Sequence, residues 1–240
     1  MIQSSLFIMG NLCIIPARGG SRRIPRKNIK LFLDKPIIAY SIEKALKSGL
    51  FTEVMVSTDD AEISEISQQF GAKVPFLRSA KNSNDFATTM DVIHEVLGAY
   101  KSLGMEFEYV CCIYATAPLI GESMLRAGLD KLTKEGLDTV FPVVAFSFPI
   151  WRSLRLNGGK IEMIWPHHAQ TRSQDLPSAY HDAGQWYWFN PARIGASLIT
   201  GNTGAVILSE TEVQDIDTES DWQMAELKYE KLYSAPQTDI

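Results

Sequence analysis

Tyr109-Val-Cys-Cys-Ile-Tyr114 is an uninterrupted run without charge, which predicts a strand buried at the centre of a sheet. Downstream, Ser123–Glu135 has the helical period and Asp138–Ala145 returns to strand. Upstream, Thr88-x-x-Asp91 caps a helix that runs to about Leu103. Before it stand a short extended piece, Val74–Leu77, and a helix to about Phe70 opened by Asp59-x-x-Glu62. Further back are the strand Glu53–Thr58, a helix from Pro36 to about Ser48 that stops before Gly49, and the strand Leu12–Pro16. Short strands alternating with helices of about ten to fifteen residues imply βαβ units. The expected fold is α/β: one Rossmann-like, mainly parallel sheet with helices on both faces.

The rhythm breaks between Phe146 and His181, a stretch rich in Pro, Arg, His and Trp. A structureless loop of that length does not suit a compact domain. It is read as an inserted β-rich arm, with Leu156-Asn-Gly-Gly-Lys160 as its hairpin turn. Gln185–Phe189 and Ala205–Leu208 rejoin the sheet, and a helix over about Ser220–Leu232, capped by Thr218-x-x-Asp221, closes the pattern. Residues 1–240 are thus expected to form one domain carrying an arm at about 146–181. Phe148, Ile150, Trp151, Ile164 and Trp165 would be a liability on an exposed arm, so the arm is expected to bury itself on a second subunit.

Composition narrows the function. The chain has 240 residues, 45% hydrophobic and 21% charged, the make-up of a globular protein. Lys and Arg number 23 against 28 Asp and Glu, a net charge of −5, which argues against a nucleic-acid partner. No run is long enough to span a membrane, and Met1–Asn11 lacks the basic start of a secretion signal. The first few residues are read as a loose tail, with Met9 an alternative start. Cys13, Cys111 and Cys112 have neither disulfide nor zinc spacing and are read as buried thiols. A cytoplasmic enzyme fits these features best.

Ligands of open α/β sheets bind beyond the carboxyl ends of the strands, and four segments fall there. Pro16-Ala-Arg-Gly-Gly-Ser-Arg-Arg-Ile-Pro-Arg-Lys-Asn28 gathers Arg18, Arg22, Arg23, Arg26 and Lys27 around Gly19 and Gly20. Glycines let backbone N–H groups approach phosphate oxygens, and guanidinium forks match them. The loop is neither the dinucleotide glycine fingerprint nor a Walker A motif, which disfavours a nicotinamide oxidoreductase. A solvated basic loop is the plainer alternative. In Asp215-Ile-Asp217-Thr218 the i, i+2 carboxylates project to one side while Ile216 turns inward. Such a pair suits Mg²⁺ completed by waters and phosphates, although Asp217 and Thr218 could simply cap a helix. Tyr114-Ala-Thr-Ala-Pro118 is a strand end turning at Pro118 whose small residues permit close approach of a ligand's planar ring. The polar run Thr171–Gln185, flanked by Trp165 and Trp186, suits a polyhydroxylated ligand or an ordinary surface loop.

PARGGSRRIPRKN, VSTDD, FLR, ATAP and DIDT, in this order, resemble the nucleotidyltransferases that make CMP-activated nonulosonic acids. The CMP-N-acylneuraminate (sialic acid) synthetases belong to that family. Through YATAP and RSQDLPSAYHDAGQWYW the chain is most similar to the pseudaminic acid cytidylyltransferase branch, over almost all of Leu12–Leu232. Sialate enzymes usually carry Gln-Pro-Thr-Ser-Pro at Tyr114–Pro118 and an Arg at His181.

The resemblance implies a nucleotide-diphospho-sugar transferase fold, a homodimer whose arm reaches the partner's site, and activation of a sugar acid for surface glycan or flagellin glycosylation. It implies CTP plus a nine-carbon 2-keto sugar acid giving a CMP-sugar and pyrophosphate. Arg18 and Lys27 would hold the triphosphate with Arg22 nearby, where the family has Lys. Gly19, Gly20, Ser21, Asn28 and Thr116 would line the CTP site, and Arg78 of FLR would meet the cytosine. Asp215 and Asp217 would hold Mg²⁺. Arg172, Gln174, His181 and Asp182 are the sugar-pocket candidates, with Trp186 and Trp188 either facing a deoxy carbon or lying in the core. A binding-only nucleotide sensor is the non-enzyme alternative.

Overall fold

The computed structural model describes residues 7–233. Its main sheet is built from β1 (Leu12–Pro16), β2 (Glu53–Ser57), β3 (Val110–Ile113), β4 (Thr139–Ala145), β5 (Tyr180–Asp182), β6 (Trp186–Phe189) and β7 (Thr203–Leu208). β1 pairs in parallel with both β2 and β3, and β7 pairs in parallel with β4. β6 lies antiparallel between β3 and β4, which makes those two strands parallel to each other. Since β7 occupies one edge of β4, β5 and β6 lie end to end along the other. The register slips by three residues between them, across Ala183–Gln185. A mainly parallel sheet is therefore observed, with one antiparallel line inside it.

Helices cover both faces. α1 (Ile37–Ser48), α2 (Ala61–Gln69) and α4 (Glu122–Lys134) contribute Ile38, Ile42, Ile63, Leu125 and Leu132 against Cys13, Ile15, Val54, Val56, Cys111 and Ile113. Residues of the alternate set, Leu12, Ile14, Met55, Val110 and Cys112, pack against Met90, Ile93, Val96 and Tyr100 of α3 (Thr89–Ser102). Period-2 burial on both sides is what a covered parallel sheet requires. All three cysteines are buried and unbonded, as read from the sequence. α5 (Glu219–Tyr233) packs elsewhere, over the loops at the carboxyl ends of the strands.

The caps hold with one shift. Thr88 and Asp91 form a reciprocal capping box on α3, Thr218 and Asp221 exchange bonds ahead of α5, and Gly49 ends α1 at φ 64°. At α2 the N-cap is Asp60 rather than Asp59, its side chain accepting from Ile63 N–H at 3.0 Å. Residues 1–6 of the stretch read as a tail lie outside the described residues. Phe7–Met9 form a strand parallel to Met105–Phe107, which the sequence reading missed.

The arm departs most from expectation. Residues 146–181 hold one hairpin, Leu154–Asn157 with Lys160–Met163, turned by Gly158 and Gly159 at φ 55° and 78°. Apart from the start of β5 at Tyr180, the remaining regular structure is three short 3₁₀ turns, so the arm is only sparsely β. Pro149, Pro166 and Pro177 interrupt any longer pairing, because proline donates no ladder hydrogen bond. Phe148 is 82% exposed and Ile164 is exposed, whereas Ile150, Trp151 and Trp165 are half-buried. The two Trp rings pack 5.6 Å apart, and Trp151 Nε1 donates to the Pro177 carbonyl. Leu156 and Ile161 of the hairpin are exposed instead.

Candidate active site

Two loops far apart in sequence are pinned by one apolar cluster. Ile24 of the Arg-rich loop and Ile216 of the Asp215–Asp217 segment are buried together with Phe32, Ile37, Tyr40 and Trp222. Burying each isoleucine contributes about 1.5–3 kcal/mol, enough to fix the loops against each other. With Ile216 inward, Asp215 and Asp217 turn outward beside the basic loop. Lys27 Nζ donates to the Ile216 carbonyl at 2.6 Å and stands 3.5 Å from Asp217 Oδ1. Arg23 Nη1 lies 2.6 Å from Asp217 Oδ2. Asn28 Nδ2 donates to the Arg18 carbonyl and Arg26, at φ 54°, grips Asp60 with both terminal nitrogens. The Arg26 guanidinium holds the Asp60 carboxyl down at a pKa of about 2.

These loops frame a cleft of about 420 Å³ at the carboxyl ends of β1, β2 and β3. Arg18, Ser21, Arg22, Lys27, Asn28, Arg78 and Thr116, seven of the predicted nucleotide residues, line it, with Arg23, Thr88, Thr89 and Tyr114 beside them. Arg78 is 8% exposed. Its Nε donates to Ser57 Oγ at 3.1 Å and one Nη to the Ser57 carbonyl, so the end of β2 aims the guanidinium. Of the two glycines, Gly19 is engaged within the loop and Gly20 is open. The Gly19 N–H donates to Asp59 Oδ1 at 3.0 Å, and a Cβ there would lie 2.7 Å from Asp60 Oδ2. Gly19 is therefore required for loop packing, while Gly20 faces open space.

Among the described residues, no group of three or more His, Cys, Asp or Glu is arranged to hold a metal ion. The carboxylate pair nevertheless suits one. The Asp215 carboxylate has no hydrogen-bond partner among the described residues. Loss of surrounding water, then the Asp217 charge, pushes its pKa up. A hard cation would relieve both effects, sharing Asp217 with Arg23 and taking its other ligands from water and phosphate.

The sugar-pocket candidates do not converge within this chain. Arg172 is exposed on the arm and paired with Asp175 at 2.7 Å. Gln174 lines a separate hollow between Phe146 and Ala179. His181 and Asp182 stand on β5, and neither lines the cleft. His181 packs on Phe146, and Asp182 accepts from Gly184 N–H and Tyr187 Oη, each at 2.8 Å. Gly184 in turn lies against Asp215, its would-be Cβ 4.0 Å from the carboxyl carbon, so Asp182 and the carboxylate pair share a neighbourhood. Trp186 and Trp188 are fully buried under α4 and belong to the core. The opposite strand face carries Tyr187, which packs against Tyr114 at 5.4 Å, and Tyr114 Oη meets Thr89 Oγ1 at 3.1 Å. Sequence reasoning did not single out Tyr187, Asp59 or Asp85; period 2 puts Tyr187 opposite Trp186 and Trp188 but does not say which face meets the cleft.

Comparisons with known proteins place the chain among relatives. The family model described as Cytidylyltransferase matches residues 12–183. A pseudaminic acid cytidylyltransferase of Campylobacter jejuni is 42% identical over 92% of this chain and 97% of its own. An N-acylneuraminate cytidylyltransferase A of Danio rerio is 32% identical over 89% of this chain and 49% of its own. The structure of a CMP:2-keto-3-deoxy-manno-octonic acid synthetase complexed with CTP covers 93% of this chain and 100% of that one, with TM-score 0.67 at 17% identity. At that identity the last likeness concerns the fold alone, an α/β sheet with helices on both faces. The sequence likeness runs through both the basic loop and the cleft behind it, and the chain belongs to the cytidylyltransferase family.

Proposed function

We propose that the protein transfers CMP from CTP to pseudaminic acid, releasing pyrophosphate. The observation that carries the reading is the cleft in which Arg18, Arg22, Lys27 and Arg78 converge beside the Asp215–Asp217 pair. The anomeric hydroxyl of the sugar acid attacks the α-phosphorus, and the bond to the leaving pyrophosphate breaks. Negative charge grows on the phosphoryl and pyrophosphate oxygens, so preorganised cations are the main catalytic asset. Arg18, Arg22 and Lys27 supply them, while the buried Arg78 meets the cytosine and Thr116 leaves room for the ring. Asp215 and Asp217 would hold Mg²⁺, which when bound neutralises phosphate charge and makes an attacking hydroxyl more acidic.

Specificity toward the sugar comes from Asp182, oriented by Tyr187 and Gly184, and from His181. Arg172 and Gln174 lie on the arm, away from the cleft of their own subunit, and serve a partner's site in a homodimer. The exposed Phe148, Leu156 and Ile161 support burial of the arm in that way. The whole chain acts as one nucleotidyltransferase domain, in the cytoplasm, where CTP is available. Among the described residues no helix is long and apolar enough to cross a membrane.

The test is competition between equal pseudaminic and N-acetylneuraminic acids with limiting CTP and Mg²⁺, the products resolved by mass. CMP-pseudaminic acid should dominate. A dominant neuraminic product would overturn the sugar while keeping the reaction class, and no pyrophosphate from either acid would overturn the activity.

A further inference from the structure

Asp85 lies in the segment that connects Arg78 to α3, and it faces the basic loop across the cleft. Its Oδ1 stands 2.8 Å from Arg18 Nη1, and its Oδ2 pairs with Arg22 Nη2. One carboxylate thus bridges two guanidinium groups, the arrangement a phosphate would adopt with the same pair. The segment presents this group deliberately: Asn84 Oδ1 accepts the N–H groups of Phe86 and Ala87, at 2.7 and 3.0 Å, and so turns the chain at Asp85. Upstream, Glu95 anchors Ser79 and Asn82. Phe86 is 92% exposed, so apolar packing of that side chain does not hold the tip against the loop. The tip's contact with the loop is electrostatic.

We infer that Asp85 is an internal anion that occupies the triphosphate's seat on Arg18 and Arg22 and thereby limits affinity for CTP and pyrophosphate. The inference rests on the nucleotide reading of the cleft given above. Incoming phosphate must displace the carboxylate, and after the reaction the carboxylate competes with the leaving pyrophosphate for the same two arginines. The effect is a weaker hold on substrate in exchange for faster clearance of product.

The test measures binding of CTP, inorganic pyrophosphate and cytidine to wild type, Asp85→Asn and Asp85→Ser by calorimetry, with unfolding temperature as a check on the fold. Both pairs are partly exposed, so removing the competitor should tighten CTP and pyrophosphate about three- to tenfold. Cytidine, which carries no phosphate, should bind all three proteins alike. Unchanged or weaker binding of CTP and pyrophosphate by the variants would show that Asp85 does not compete. Equal tightening of cytidine would assign the effect to a loosened segment and overturn the inference too. If wild type binds neither CTP nor pyrophosphate, the nucleotide reading itself fails and this inference with it.

Discussion

Lys27→Met tests the link between the two loops and the nucleotide chemistry in one variant. The Lys27 side chain is 18% exposed, and its ammonium is shared between the Ile216 carbonyl at 2.6 Å and Asp217 at 3.5 Å. Methionine keeps the unbranched stem and deletes the charge. A hydrogen bond from a charged donor is worth about 1.5–3 kcal/mol net, and among the described residues the carbonyl it leaves behind has no other donor. For a chain of this size that loss lowers the unfolding temperature by about 3–6 °C. The same ammonium lines the cleft, so losing one charge-assisted phosphate contact should lower kcat/KM for CTP by about 10- to 150-fold. Thermal unfolding reads the first effect, and initial rates of pyrophosphate release at varied CTP read the second. An unchanged unfolding temperature would refute the brace. Unchanged CTP kinetics with a lowered unfolding temperature would confine Lys27 to structure and refute its place on the triphosphate.

Asp215→Asn should abolish most turnover yet leave the metal-free fold at least as stable, because the carboxylate it removes is crowded by Asp217 and short of water; Mg²⁺ should raise the unfolding temperature of wild type and not of the variant. Gly128→Ala puts a Cβ 2.5 Å from two ring atoms of the buried Trp186. Calorimetry should show about 1–3 kcal/mol of destabilisation, and a neutral result would mean the ring can shift. Asp60, held at a pKa of about 2 by Arg26, has a depressed folded value, so its contribution is complete above the unfolded carboxylate pKa of about 3.9 and fades as pH falls toward 2. Denaturant titrations of Asp60→Asn should show roughly 1–2 kcal/mol less stability at pH 6 and little difference near pH 2, allowing for the solvent around Arg26.

Much of this protein is local chemistry, and local chemistry is legible in order along the chain. The strands at Leu12, Glu53, Val110 and Thr139 fall where apolar runs predict them, and Thr88 with Asp91 caps α3 at the expected spacing. Alternation along Asp215-Ile-Asp217 assigns the inward isoleucine and the outward carboxylates correctly. The cap on α2 is off by one because Asp59 and Asp60 are equally good caps by type; the neighbouring loop decides between them, taking Asp59 for the Gly19 N–H and Asp60 for Arg26.

What remained hidden depends on which distant surfaces meet. Whether Trp186 and Trp188 or Tyr187 faces the ligand side depends on where α4 lies, since both readings satisfy period 2. Phe7–Met9 pairs with a strand nearly a hundred residues away, a partner that no local pattern announces. Asp85 reaches Arg18 across 67 residues, and Lys27 reaches Ile216 across 189. The sequence by itself therefore determined the βαβ order, the caps of α3 and α5, the cationic loop and the carboxylate pair, because hydrophobic period and charge are properties of neighbouring residues. The tertiary structure alone decided which cation meets which anion across the cleft, because that depends on the buried contacts, Ile24 with Ile216 foremost, that bring remote loops within a few ångströms of each other.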